Sequence, residues 1–198
     1  MNEGTLLRLM TWFSPAFPTG AFGYSGGLEA SDCDLGEWCE ASLEHGAIRN
    51  DAVLCAMTLR GEDVADLAAA LASCPSRLAE TQEQGAAFLR AVADWDEGAA
   101  ATPPCPLPVA VGRACADLPH PLVLTAYAQS ALANTVAAAQ RLGRLGQRGG
   151  VRLLASLEPA VLQLAREAAD GLPLAQATFN AEIAAMRHET LASRIHRS

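Results

Sequence analysis

Residues 118–140, LPHPLVLTAYAQSALANTVAAAQ, form a long run without a charged side chain. A run of that length either spans a bilayer or lies at the centre of a helical core. Pro119, Pro121, Gln129, Ser130 and Asn134 interrupt it, and its apolar members are mostly alanine. These features fit a central helix in a soluble bundle better than a membrane span. Alanine buries little area but lets helices approach closely. In the whole chain, hydrophobic residues make up 51%, charged residues 18% and aromatics 5%. With so few aromatics and few β-branched clusters, the composition predicts an all-α fold. A length of 198 residues supports one domain with a substantial core, or two very small ones.

Helical periodicity is readable along most of the chain. A first helix is predicted over about 5–13, with Leu6, Leu9, Met10 and Phe13 on one side and Ser14-Pro15 as its stop. Patterning resumes near Glu29 and runs again from Glu37 to about Leu59. Asp63 reads as the N-cap of a helix carrying Val64, Leu67, Ala68 and Leu71, ended by Pro75. Ser76 reads as the cap of the next, which runs to about Trp95 with Leu78, Gly85, Phe88, Leu89, Val92 and Trp95 as its stripe. Glycine in mid-helix costs about 1 kcal/mol relative to alanine, so Gly85 implies a crossing backbone. The proline-rich stretch 98–108 reads as a surface connection inside a single domain covering 1–198. An Ala-rich helix over about 121–145 follows. Leu154, Leu157, Val161 and Leu164 then recur across Pro159, predicting a kinked helix or two collinear ones that end at Gly171. A last helix or tail begins near Ala181. The sum is a bundle of roughly eight to ten helices with a flexible N-terminal loop and tail.

Several chemistries are excluded or weakened by residue content. All fourteen basic residues are arginine, so a P-loop lysine, a Schiff-base lysine and a lysine general base are absent. The net charge of −8 argues against nucleic acid as a partner. That charge is uneven: between Glu29 and Asp66 there are ten carboxylates and two arginines, and from Arg141 to Ser198 eight arginines and five carboxylates. Either docking surfaces or a solvated acidic helix pair accounts for this. The six cysteines include no C-x-x-C pair and no signal sequence is seen, which predicts reduced thiols in the cytoplasm. His45, His120, His188 and His196 do not cluster. In a helical tail, His188 and His196 would lie roughly 12 Å apart, too far to share an ion. No metal site, cofactor or catalytic residue is therefore expected within one chain, and Ser14, Ser25 and Cys33 lack any flanking nucleophile motif.

Three segments stand out. SPAFPTGAFGYSGGLE, residues 14–29, spaces its glycines G-x-x-G-x-x-G-G, unlike a dinucleotide loop, and has no lysine or nearby arginine for phosphate. Two readings remain open. The glycines serve tight turns with local aromatic packing, or Phe17, Phe22 and Tyr24 are anchors for a partner. QRLGRLGQRGG, residues 140–150, gathers Arg141, Arg144 and Arg148 near a helix end, as C-terminal capping or as a presented patch beside the Gly146 and Gly149-Gly150 turn. MRHETLASRIHRS, residues 186–198, is dense in polar side chains. It suits folding onto a partner through its arginines, or an ordinary last helix.

Together these segments resemble the UreF family of urease accessory proteins. The first is similar to S-P-x-[LF]-P-[VT]-G-[AS]-[FY]-x-Y-S-x-G-L-E. AAAQRLGRLGQRGGVRLL is similar to A-A-x-R-L-x-P-L-G-Q-x-x-G-Q-x-L-L, and the last to M-R-H-E-x-x-x-S-R-L-F-R-S. The resemblance implies an all-α homodimer without catalytic activity. Such a protein joins UreD (also called UreH) and the GTPase UreG, modulates GTP-dependent nickel delivery and serves the urease apoprotein. It also implies that Phe17, Phe22, Tyr24, Ser25, Glu29, Arg141, Gln147, Arg187, His188, Glu189, Arg194, Arg197 and Ser198 face partners, the loop and tail ordering on assembly. On this reading Arg141, Arg144 and Arg148 are the candidates for an arginine finger supplied to the GTPase. Arg144 stands where the family has proline, Gly150-Val151 where it has G-Q, and His196 where phenylalanine is common. The rival readings are a small helical metal carrier and a generic helical scaffold.

Overall fold

In the computed structural model, residues 2–95 and 103–198 are described, and every regular element among them is helical. The nine α-helices are α1 (Glu3–Trp12), α2 (Leu35–Glu44), α3 (Ala47–Leu59), α4 (Ala65–Ala70), α5 (Pro75–Trp95), α6 (Leu107–Ala114), α7 (His120–Arg141), α8 (Gln147–Ala169) and α9 (Phe179–His188). Two 3₁₀ turns, Ala21–Gly23 and Leu28–Ala30, lie between α1 and α2.

Burial decides the architecture. α3 is inside on almost every side, with Ile48, Ala52–Ala56, Thr58 and Leu59 all covered. Around it pack α2, α6, α7 and α8, while α5 packs on α6, and α9 covers the second 3₁₀ turn. α7, the uncharged run, is long and apolar enough to cross a membrane. Here its Val123, Leu124, Tyr127, Ala128, Leu132 and Val136 face the core, and it packs against α3 and α8. It is the flank of the core; α3 is its axis.

Local chemistry sets the boundaries. The Asn2 side chain accepts from Thr5 N–H at 2.7 Å and Asp34 accepts from Glu37 N–H at 3.1 Å, so α1 and α2 begin with conventional N-caps. Gly143, with φ 72°, ends α7 four residues before the expected Leu145. α8 is continuous through Pro159, and the Ala155 carbonyl that loses its donor there lies on the exposed face. α6 was not anticipated. Its Pro108 occupies the first turn, where the missing N–H costs nothing, although the flanking prolines signal a break.

Gly85 meets the backbone it implied. A Cβ there would lie 2.0 Å from the Cys105 carbonyl oxygen and 2.9 Å from Leu107 N. The proline-rich stretch is consequently not all surface: Cys105 and Pro106 are buried beneath α5, while 98–102 fall outside the described residues.

Other expectations are corrected. On α1 the inward residues are Leu9 and Trp12, whereas Leu6 and Met10 are exposed, because the helix rests on the Phe88 ring, edge-on to Trp12 at 6.2 Å. Asp63 does not cap α4; it pairs with Arg113 at 3.1 Å. Ser76 lies inside α5, and its N–H is satisfied by the Glu189 carboxylate at 2.8 Å, a cap supplied from the far end of the chain. On α5, Trp95 is exposed and polar Glu80 and Gln84 are buried in its place. Gly149-Gly150 form no turn but the first turn of α8. Gly150 packs closely on α7: a Cβ there would meet Val136 Cγ1 at 3.0 Å and would have to displace the Gln140 amide.

Candidate functional site

The tail leaves α9 at His188 and turns back over the glycine-aromatic loop, so the two unusual segments meet. Ser25 N–H and Ser25 Oγ both donate to the Ser198 main-chain oxygen, at 2.7 and 2.5 Å, and Arg197 N–H donates to Gly23 O at 2.7 Å. Ser198 is fully covered. The loop accommodates this by left-handed turns at Gly20, Gly26 and Gly27. Gly27 has a second constraint, since a Cβ would lie 2.6 Å from Ala185 N of α9. The loop and tail expected to be flexible are thus bonded to each other, and the expected separation of His188 and His196 does not hold.

Glu29 is the centre of the closure. Its carboxylate accepts from Ile195 N–H at 2.6 Å and His196 N–H at 2.9 Å, with His188 Nε2 at 3.1 Å and His196 Nδ1 at 3.3 Å. Burial disfavours the charge, but the two backbone donors and two imidazoles prevail and hold the carboxyl down at about 2. On the other side, His196 Nε2 accepts from Arg141 Nε–H at 3.2 Å. Burial and the Arg141 cation lower the His196 pKa, against the pull of Glu29. Arg141 also donates to Phe22 O at 2.9 Å, and its guanidinium sits 4.1 Å over the Phe22 ring.

α5 supplies the base of the closure. Glu80 pairs with Arg77 and accepts from Ser198 Oγ at 2.5 Å and Gln84 Nε2 at 3.1 Å. One turn on, Glu83 accepts from the Tyr24 hydroxyl at 2.5 Å and pairs with Arg197 at 2.7 Å. The Tyr24 hydroxyl is raised above its usual range by burial and by Glu83. A cleft of about 760 Å³ adjoins this base, lined by Ser25 and Glu80 and also by Met10, Phe17 and, from α7, Ala133 and Asn134. Asp51 also lines it, and burial lifts its carboxyl to about 6 against the Arg77 cation and the Tyr127 OH, which donates to it at 3.1 Å.

The candidate residues thus separate into two sets. Phe17 packs edge-on to Phe88 at 5.5 Å, and Tyr24, Ser25, His188 and Ser198 are buried, so these serve the chain's own closure. Glu29 belongs with them. Of the three loop aromatics, only Phe22 is strongly exposed, at 71%, and Ile195 across the closure is exposed at 69%. Arg187, Glu189, Arg194, Arg197 and Gln147 are exposed, Arg141 half-buried. Gln147 stands apart at the start of α8, accepting from Gln140 Nε2 at 3.4 Å.

The arginine trio divides similarly. Arg144 donates to the carbonyls of Leu28 at 3.1 Å, Ser31 at 3.0 Å and Cys33, pinning the second 3₁₀ turn. Arg141 sits in the last turn of α7, as C-terminal capping requires. Arg148 is exposed in the first turn of α8, at the opposite end of a helix from the one expected. Sequence reasoning missed Arg77, Glu80, Glu83 and Asp51. The available signal was polar Glu80 and Gln84 at i, i+4 beside an apolar stripe. Among the described residues, no group of three or more His, Cys, Asp or Glu side chains is arranged to hold a metal ion.

The sequence profile of the UreF family matches residues 30–158. Three proteins named urease accessory protein UreF are similar over nearly the whole chain. The one from Paracoccus denitrificans is 46% identical, covering 99% of this chain and 97% of its own length. One from Cereibacter sphaeroides is 45% identical, covering 99% and 100%. That of Agrobacterium fabrum is 41% identical, covering 98% and 96%. The profile match falls between the two segments of the closure, whereas the full-length relatives span both.

Proposed function

Because the chain belongs to the UreF family of urease accessory proteins, we propose that it is a non-catalytic adaptor in the cytoplasm, working as a homodimer. It assembles with UreD (UreH) and the GTPase UreG and supports GTP-dependent delivery of nickel, as cargo, to the urease apoprotein. The observation that carries this reading is similarity over 98–99% of the chain to proteins named urease accessory protein UreF.

The outer face of the closure supports a docking role. Exposed Phe22 and Ile195 flank the pairing of 23–25 with 197–198, and Arg187, Arg194 and Arg197 are exposed on the same terminal segment. On a chain of net charge −8, an arginine-rich apolar patch suits an acidic partner surface with a pocket for an aromatic ring. Arg141 and Arg144 already hold the loop, which leaves exposed Arg148 as the arginine of the trio best placed to reach a bound GTPase.

Deleting residues 181–198 is a poor test, because Ala184, Ala185 and His188 are interior. Point changes at exposed positions are better. Co-expression with UreD and UreG, followed by affinity capture of Phe22→Ser and Ile195→Ser, is expected to lose UreD while the circular dichroism and melting temperature stay unchanged. Full retention of both partners by the double variant refutes the patch. Normal urease activation in cells lacking the chain refutes the accessory role.

A further inference from the structure

The closure contains two kinds of bond with opposite responses to a proton. Glu29 holds the backbone of Ile195 and His196, and Ser25 holds Ser198; neither contact needs a neutral imidazole. The bond between Arg141 and His196 does. Arg141 Nε carries a hydrogen at any accessible pH, so it donates, and the His196 Nε2 at 3.2 Å must offer its lone pair. The proton of the neutral ring is then on Nδ1, directed at Glu29 Oε2 at 3.3 Å. A second proton on Nε2 sets N–H against N–H and imidazolium against guanidinium. The charged groups facing the ring are Glu29 from the 3₁₀ turn and Arg141 from α7, and the one further titratable group is the His188 ring of α9.

We infer that His196 is a proton-operated latch that frees Arg141, and with it the exposed Phe22 ring, while the Glu29 and Ser25 contacts keep the tail in place. Arg141 holds Phe22 through its carbonyl at 2.9 Å and its ring face at 4.1 Å. An imidazolium tightens its own bond to Glu29, so the tail is not released with the loop. Burial and Arg141 keep the ring neutral at pH 7, against Glu29's opposing pull, which sets the transition below the ordinary histidine range near 6.5. The inference rests on contacts within the chain alone and stands whether or not the proposed partners bind.

The test is ¹⁵N NMR of the full chain between pH 8 and pH 5, following the His196 ring, the Arg141 Nε–H signal and the protection factors of the backbone amides of 21–24, 25, 195 and 196, each exchange rate being divided into the intrinsic rate at that pH. The expected result is that protection at 21–24 falls about tenfold with the His196 titration, while 25, 195 and 196 keep theirs. In His196→Phe the loop protection factors should not change over this range. In Arg141→Gln loop protection should be low at every pH, and the His196 midpoint should move upward, on the order of one pH unit, with the cation gone. Loop protection that ignores the His196 titration overturns the inference. So do an unchanged response in His196→Phe, loss of protection at 25, 195 and 196 together with the loop, and a His196 midpoint that Arg141→Gln leaves in place.

Discussion

Replacing Glu29 by glutamine removes one negative charge and little volume, yet the structure assigns it a large effect. The carboxylate accepts from two backbone N–H groups and approaches two imidazole nitrogens, all within 2.6–3.3 Å. A glutamine has one acceptor oxygen and turns an NH₂ towards donors that are buried with it. The lowering from 4.5 to about 2 corresponds to about 3 kcal/mol of stability at pH 7. Counting bonds gives the same order, since hydrogen bonds to a charged group contribute roughly 1.5–3 kcal/mol each and not all are lost. The sign follows from the direction of the shift. A carboxyl depressed in the folded state stabilises fully above its unfolded value and loses that contribution as pH falls from about 4.5 to about 2. Urea denaturation of the wild type and Glu29→Gln should therefore differ by about 3 kcal/mol at pH 7 and by only about 1.5 kcal/mol at pH 3. A deficit below about 0.5 kcal/mol at pH 7, or one that does not change between the two pH values, would refute the reasoning.

Three further substitutions probe other parts of the argument. Gly85→Ala gains about 1 kcal/mol of helix propensity but drives a methyl to 2.0 Å from the Cys105 carbonyl; thermal unfolding should show a net loss of about 1–3 kcal/mol. Arg144→Ala strips three carbonyls of their donor, and hydrogen exchange should show loss of protection confined to 28–35 with a stability cost of about 1–3 kcal/mol. Asp51→Asn keeps the acceptor for Tyr127 and removes a charge whose carboxyl is raised from 3.8 to about 6. It should stabilise the fold by about 1–3 kcal/mol above pH 6 and by nothing below pH 4, as read from urea midpoints across that range.

Helix positions were legible wherever apolar periodicity was long, as in α5, α7 and α8. Gly85 was legible for a different reason: a residue so poor in a helix is tolerated mid-helix when something else needs the space. α6 was hidden because prolines at 103–108 signal a break, and only tertiary context shows that Pro108 sits in a first turn. The caps of α4 and α5 were misjudged because Asp63 and Ser76 have the right chemistry beside helix starts. Their real partners, Arg113 and Glu189, are 50 and 113 residues away in sequence. The closure was half legible. Motif density marked both of its segments, but density of polar side chains does not distinguish surfaces that meet a partner from surfaces that meet each other. Phe17 and Phe22 are five residues apart in one loop; one is packed on Phe88 and the other is 71% exposed, and no local pattern separates them.

The bond between Ser25 and Ser198 spans 173 positions, and Glu29 reaches His196 across 167. Contacts of that span are the slowest to form, because the intervening chain must first be gathered. During synthesis α1 to α8 have the residues to assemble while the glycine loop still lacks its counterpart, with Ser25, Glu29 and Tyr24 open to water. Until the tail is in place the loop presents the interior of the clasp, and once it is closed the chain presents Phe22 and Ile195. Any protein that tells those two faces apart has a means of knowing that the clasp has formed.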